Sequence, residues 1–276
     1  MKRYDVVFPL GSACSCAQVV KAAGLRLASY PFDWLYGSDI RGRTDIVMKE
    51  FVGWLDEANM IEVEAPSWHP KAIYRNTVTD ISFNHDFPKG VPLKDSFPAV
   101  KEKYDRRIVR LQKNLEAARR ILLVWVQIPT TGRIPDGDLD YCLEAFRRKF
   151  PQAKVDIFAF DYAEGMPLEN CEVVREEGKT VVRYDYREYG NPRYFYAVEQ
   201  DKMIPFLRGI GIVDNRNAEE RRRFASECKR KLYAQFGAKT WLGFFLTRSQ
   251  YKLYCHLRKA LRRKGVDLWR GETDHA

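Results

Sequence analysis

At 276 residues, 45% hydrophobic and 13% aromatic, the chain is long and apolar enough for one large domain or two small ones, which excludes global disorder. Its net charge of +10 is local: residues 1–215 hold 31 basic and 31 acidic side chains, whereas residues 216–270 hold 16 and 4. That placement excludes a nucleic-acid surface spread over the whole molecule and points to a neutral body, 1–215, with a basic helical segment, 216–276, that meets an anionic partner at one end.

In chain order, "YDVVFPL" reads as a buried strand. Ser12 is placed to cap a helix that runs through "CSCAQVVKAA" to Gly24. "LRLASYPFDW" reads as extended, because Tyr30 precedes a proline. A helix is expected over 43–57, with Ile46, Val47, Phe51, Trp54 and Leu55 on one face. "KAIYRNTVTDISFNHDF" supplies strand and turn. A long helix starts near Phe97, and the strand "ILLVWVQI" follows it. "DGDLDYCLEAFRRKF" is a helix capped near Asp136, "AKVDIFAFDY" a further strand, and "CEVVREEGKTVVRYDY" a hairpin around Glu177-Gly178. Two helices, about 216–236 and 247–264, close the chain. The alternation predicts an α/β fold: a layered, mostly parallel sheet flanked by helices, with a C-terminal helical extension.

Cys14 falls just past the first strand, in the first turn of the first helix. Unpaired N–H groups and the helix dipole stabilise a thiolate there, and such folds bind ligands at that edge. Cys16 points toward Val19, Val20 and Ala23 and reads as packing. Cys14-x-Cys16 lacks the two to four intervening residues usual for zinc, and "DGD" at 136–138 reads as capping, so neither metal nor cofactor is expected. A nucleophilic thiol needs a base. Of the four histidines, His85 in "ISFNHDFP" lies where a ring can project from a strand rim. His69 sits in a turn-like "PSWHP", His256 in a basic helix and His275 in the charged tail.

"LGSAC", "LRLASYPFDWL", "FNHDF" and "KYDRRIVRL" with "ILLVWV" after it, taken together, resemble a bacterial family described as papain-like cysteine peptidases, over residues 4–160. The resemblance implies Cys14 as nucleophile, at the G-x-x-C position, and His85 as base. It also implies a papain-like α+β fold, in which an antiparallel sheet supplies the histidine; the residues themselves favour the α/β alternative. Asp33 and Asp86 are both candidates for orienting His85, and backbone N–H groups of Ala13 to Ser15 for stabilising an oxyanion. Ser12 and Trp34 are candidates for substrate contact. Arg107 and Arg110, three apart on the long helix, are candidates for meeting an anionic substrate.

Three classes of function fit. One is a cysteine hydrolase or acyltransferase. Another is a peripheral membrane transferase of surface polysaccharide assembly, and the third a non-catalytic binding module. No run of about eighteen uncharged apolar residues occurs, and the first apolar run is too short for a signal peptide. Six cysteines then read as reduced thiols in the cytoplasm. Basic and aromatic residues alternate through 240–264, as in a helix lying on an anionic membrane, so the inner membrane face is a second expected location.

Overall fold

The computed structural model describes residues 2–67, 69–189 and 198–214, with Glu219, Arg222 and Ser226. The chain divides into two units, Met1–Asp214 and Asn215–Ala276. The proposed membrane segment, 240–264, lies outside the described residues. Among the described residues no helix is long and apolar enough to cross a membrane.

Strand β1 (Lys2–Tyr4) leads into β2 (Val6–Gly11), helix α1 (Cys14–Ala22), a 3-10 turn at Pro31–Trp34 and β3 (Leu35–Gly37). Helix α2 (Ile40–Met48) precedes β4 (Met60–Val63), β5 (Lys71–Asn76) and β6 (Ile81–Pro88). Then come α3 (Leu93–Ala117), β7 (Arg120–Val126), α4 (Asp138–Lys149) and β8 (Lys154–Tyr162). The hairpin β9 (Glu172–Glu176) and β10 (Lys179–Tyr184), a short α5 (Gln200–Met203) and β11 (Ile210–Ile212) complete the first unit.

The fold is mixed α/β. A five-stranded sheet runs in the order β2-β7-β8-β10-β9; its first three pairings are parallel and the last is antiparallel. A second sheet, β3-β6-β5-β4, is antiparallel throughout. The expectation of a single layered, mostly parallel sheet is corrected by this second sheet. Its strands are joined across sequence separations of up to about 50 residues, which local periodicity does not report.

Side-chain alternation along β2 explains the core. Val6, Phe8 and Leu10 enter one cluster with α3, α4 and the antiparallel sheet, while Val7 enters another with Val19 and Val20 of α1. β7 is buried on both faces, which is why its sequence is an unbroken apolar run. α3 is amphipathic: Phe97, Val100, Tyr104, Ile108, Leu111 and Leu115 recur at three- and four-residue steps and are all buried.

Four element boundaries differ from expectation. α2 ends at Met48, because Glu50 and Phe51 adopt left-handed backbone angles (φ 56° and 62°) that no helix continues through. Phe51, Trp54 and Leu55 are buried nonetheless, from the turn that follows. Pro31–Trp34 forms a 3-10 turn instead of an extended run, while Tyr30, before the proline, is extended. α3 starts at Leu93, with Pro98 inside it. At α4 the N-cap is Gly137, in the left-handed region, and Asp136 does not cap it.

α3 is tied to β6 by a polar contact. The buried Tyr104 hydroxyl donates to Asp86 Oδ2 (2.8 Å), and Lys103 pairs with the other oxygen. Tyr104→Phe removes one hydrogen bond to a charged group and is expected to cost about 2 kcal/mol in a urea melt. A cost near zero would mean that Lys103 alone satisfies Asp86.

Candidate functional site

The site is built from the carboxyl end of β2. One extra residue is accommodated in β2 between Pro9 and Gly11, opposite Val124 and Trp125 of β7. The bulge turns the chain so that α1 starts at Cys14. Its N-cap is Ala13, without a side-chain cap; the expected cap Ser12 is buried, and its hydroxyl donates to Val126 O at 2.9 Å. Cys14 is the first helical residue and half-buried. Burial pushes its thiol above the ordinary 9.0, against the pull of the Cys14 and Ser15 backbone N–H groups. The helix terminus does lower the pKa, as expected, but desolvation outweighs it.

Opposite stands β6. Between its pairings Tyr74↔Phe83 and Ala72↔Phe87, one residue of β5 faces three of β6. This bulge re-aims the segment 84–86, so that the neighbours Asn84 and His85 both reach one narrow cleft. Ala13, Cys14, Trp34, Leu35, Tyr36, Asn84 and His85 line it. The free space within it is about 10 Å³, roughly room for one water. The Trp34 and His85 rings meet edge to face at 6.2 Å. His85 is exposed on its outer side, yet partial enclosure lowers its pKa below 6.5; His69 and Lys103 add to this and Asp86 opposes it. At neutral pH the cleft therefore holds a thiol and an uncharged imidazole.

The other candidates fall in different places. Asp86 faces α3, bound by Lys103 and Tyr104, and acts on His85 through space without a hydrogen bond to its ring. Asp33 is completely buried, paired with Arg26, and accepts from Tyr30 N at 3.1 Å. Neither carboxylate holds the His85 ring, a correction to both assignments: Asp33 closes its own 3-10 turn, and Asp86 projects toward the helix. Trp34 lines the cleft, whereas Ser12, Arg107 and Arg110 do not. Arg110 donates to Ser29 O at 3.0 Å, and Arg107 lies over the Tyr104 ring at 5.2 Å. Cys16 is packing: fully buried, its thiol pushed up to about 12, donating to Val124 O at 3.3 Å.

Sequence reasoning missed Asn84 and Arg43 and set His69 aside. Asn84 brings an amide oxygen that is buried and has no hydrogen-bond partner among the described residues. His69 is buried, with its ring 6.3 Å from that of His85 and Nδ1 2.9 Å from Lys71 O. Arg43 lies fully buried behind the cleft. A bulge leaves no local sequence signature, so nothing in "FNHDF" marked Asn84. Among the described residues no group of three or more His, Cys, Asp or Glu side chains could hold a metal ion.

Residues 5–130 match the model of a family described as "Putative papain-like cysteine peptidase". The papain-like match spans a little under half of the chain and stops short of the residue 160 to which the resemblance extends. It encloses all the residues that line the cleft, together with Arg43 and His69, and leaves α4 and β8 to β11 outside. No curated protein and no solved structure matches the chain.

Proposed function

We propose that the chain is a cysteine-dependent hydrolase or acyltransferase, with Cys14 as nucleophile and His85 as its base. The observation that carries this reading is the single cleft that both residues line, with the thiol at a helix N-terminus. The family description supports the same chemistry. His85 takes the proton from Cys14 Sγ, and the sulfur attacks an acyl carbon. The carbonyl π electrons move onto oxygen, beside the Cys14 and Ser15 N–H groups. As the tetrahedral intermediate collapses, the bond to the leaving group breaks, and the imidazolium returns its proton to that group. Water, or an acceptor nucleophile, then attacks the thioester carbon with His85 again taking the proton; the C–S bond breaks, and the imidazolium returns its proton to Cys14 Sγ. A carboxylate partner for His85 is not part of the proposal; Trp34, edge-on to the ring, restrains it instead.

The test is the rate of Cys14 alkylation by iodoacetamide against pH, followed by peptide mass spectrometry. His85 has a lowered pKa and Cys14 a raised one, so the reaction should gain an acid limb below pH 6.5, where the imidazole loses its proton. His85→Gln should remove that limb and slow alkylation roughly 10²-fold at pH 7. The two profiles should converge well above pH 9, where the thiol ionises unaided. Cys16 and Cys142, both buried with thiols pushed up to about 12, serve as slow internal controls. Superimposable profiles for the two proteins would refute the pairing.

A further inference from the structure

Arg43 is 0% exposed, yet among the described residues no carboxylate pairs with it. A guanidinium in that position must find its hydrogen-bond acceptors some other way. It does so on backbone carbonyls alone: Nη1 donates to Leu10 O (2.9 Å), Nη2 to Ser12 O (2.9 Å), Leu35 O (3.2 Å) and Gly37 O (2.8 Å), and Nε to Gly37 O (3.1 Å). Its plane lies over Phe32 at 5.1 Å and Trp125 at 6.0 Å. Gly11 leaves the space: a Cβ there, at φ +148°, would fall 2.0 Å from Nη1.

The four carbonyls belong to two segments. Leu10 and Ser12 precede Cys14, at the end of the parallel sheet. Leu35 and Gly37 follow Trp34, in β3, which pairs with β6 at Leu35↔Phe83 and so with the strand that carries His85. The cleft lies between these segments. We propose that Arg43 is a positioning residue, a buried staple that holds the Cys14 segment in register with the antiparallel sheet bearing His85. It touches neither side chain; it sets how far apart the two walls stand. Lysine offers three donors on one atom and cannot reach four carbonyls in two directions.

This rests on the Cys14–His85 reading, and the test separates the two. In the full-length chain, Arg43→Lys is compared with the parent for its thermal transition and for the Cys14 alkylation–pH profile, each with and without His85→Gln. The expected result is that Arg43→Lys still melts cooperatively above the assay temperature, yet loses the acid limb and falls roughly 10²-fold at pH 7. His85→Gln then adds less than about twofold on top, because the coupling is already gone. A folded Arg43→Lys with the parental profile, still slowed by His85→Gln, overturns the positioning role. If His85→Gln is silent in the parent, the pairing fails and the staple falls with it. Arg43→Gln is the second variant should Arg43→Lys not fold; if both are unfolded, with Cys16 labelling as fast as Cys14, Arg43 is purely structural and the proposal is overturned.

Discussion

Arg26→Met is expected to cost about 3–5 kcal/mol of stability at pH 7, because it strips the counter-charge from a fully buried carboxylate. Asp33 Oδ2 has two partners, the Arg26 guanidinium and Tyr30 N, while Oδ1 is buried without one. Burial already raises the Asp33 pKa above 3.8 despite Arg26 and the Tyr30 N–H, so ionisation works against the fold. The sign follows. A carboxyl raised in the folded state contributes stability below its ordinary pKa and loses it as pH rises through the folded value. Removing Arg26 raises Asp33 further, so the cost of the variant should be greatest at neutral pH. It should shrink at acidic pH, as Asp33 takes up a proton. Urea melts at neutral and acidic pH measure this directly. A cost independent of pH would mean that Arg26 acts only by packing on Trp34, over which it lies at 5.8 Å.

Phe8→Ala should have a comparable effect without pH dependence. Phe8 is fully buried at the centre of β2, edge-on to Tyr30 (5.7 Å), stacked on Phe32 (5.9 Å) and tilted against Phe146 of α4 (6.4 Å). These contacts join the parallel sheet, the Pro31–Trp34 turn and α4, so no single element can close in and fill the space. A loss of about 3–5 kcal/mol is expected, and for a unit of this size a fall in Tm of roughly 10 °C. Denaturant slopes should stay unchanged, since the surface exposed on unfolding is nearly the same. A cost under about 1 kcal/mol would show that the cluster relaxes around the gap. Phe32 adjoins Asp33 and Trp34, so Phe8→Ala should also slow Cys14 alkylation through the Trp34 wall.

The two sheets explain why the residues and the family resemblance pulled in different directions. Cys14 follows a strand of the mainly parallel sheet, as the α/β alternation implied. His85 lies on an antiparallel sheet, as the papain-like resemblance implied. Each cue reported one wall of the same cleft.

Local periodicity and chain punctuation determined what depends on near neighbours. The apolar run before Gly11, the helix opening at Cys14, the hairpin at Glu177-Gly178 and the apolar stripe of α3 all follow from steric and solvation preferences acting over a few residues. Cys16 as packing was legible for the same reason. The partners of buried polar groups were not, because burial is a property of the assembled chain. Arg43 in "IRGRTD" looks like any solvated helix charge until two sheets close over it, and Asp33 looks like a turn-former until Arg26 reaches it. Asp86 sits beside His85 in sequence but turns toward Tyr104, while Asn84, on its other side, enters the cleft; the bulge in β6 decides both. Whether Cys14 is thiol or thiolate also waited on the fold. The helix terminus favours the anion over a range of one turn, but the burial that outweighs it exists only once the cleft is assembled, with lining residues 20 and 70 positions away in the chain.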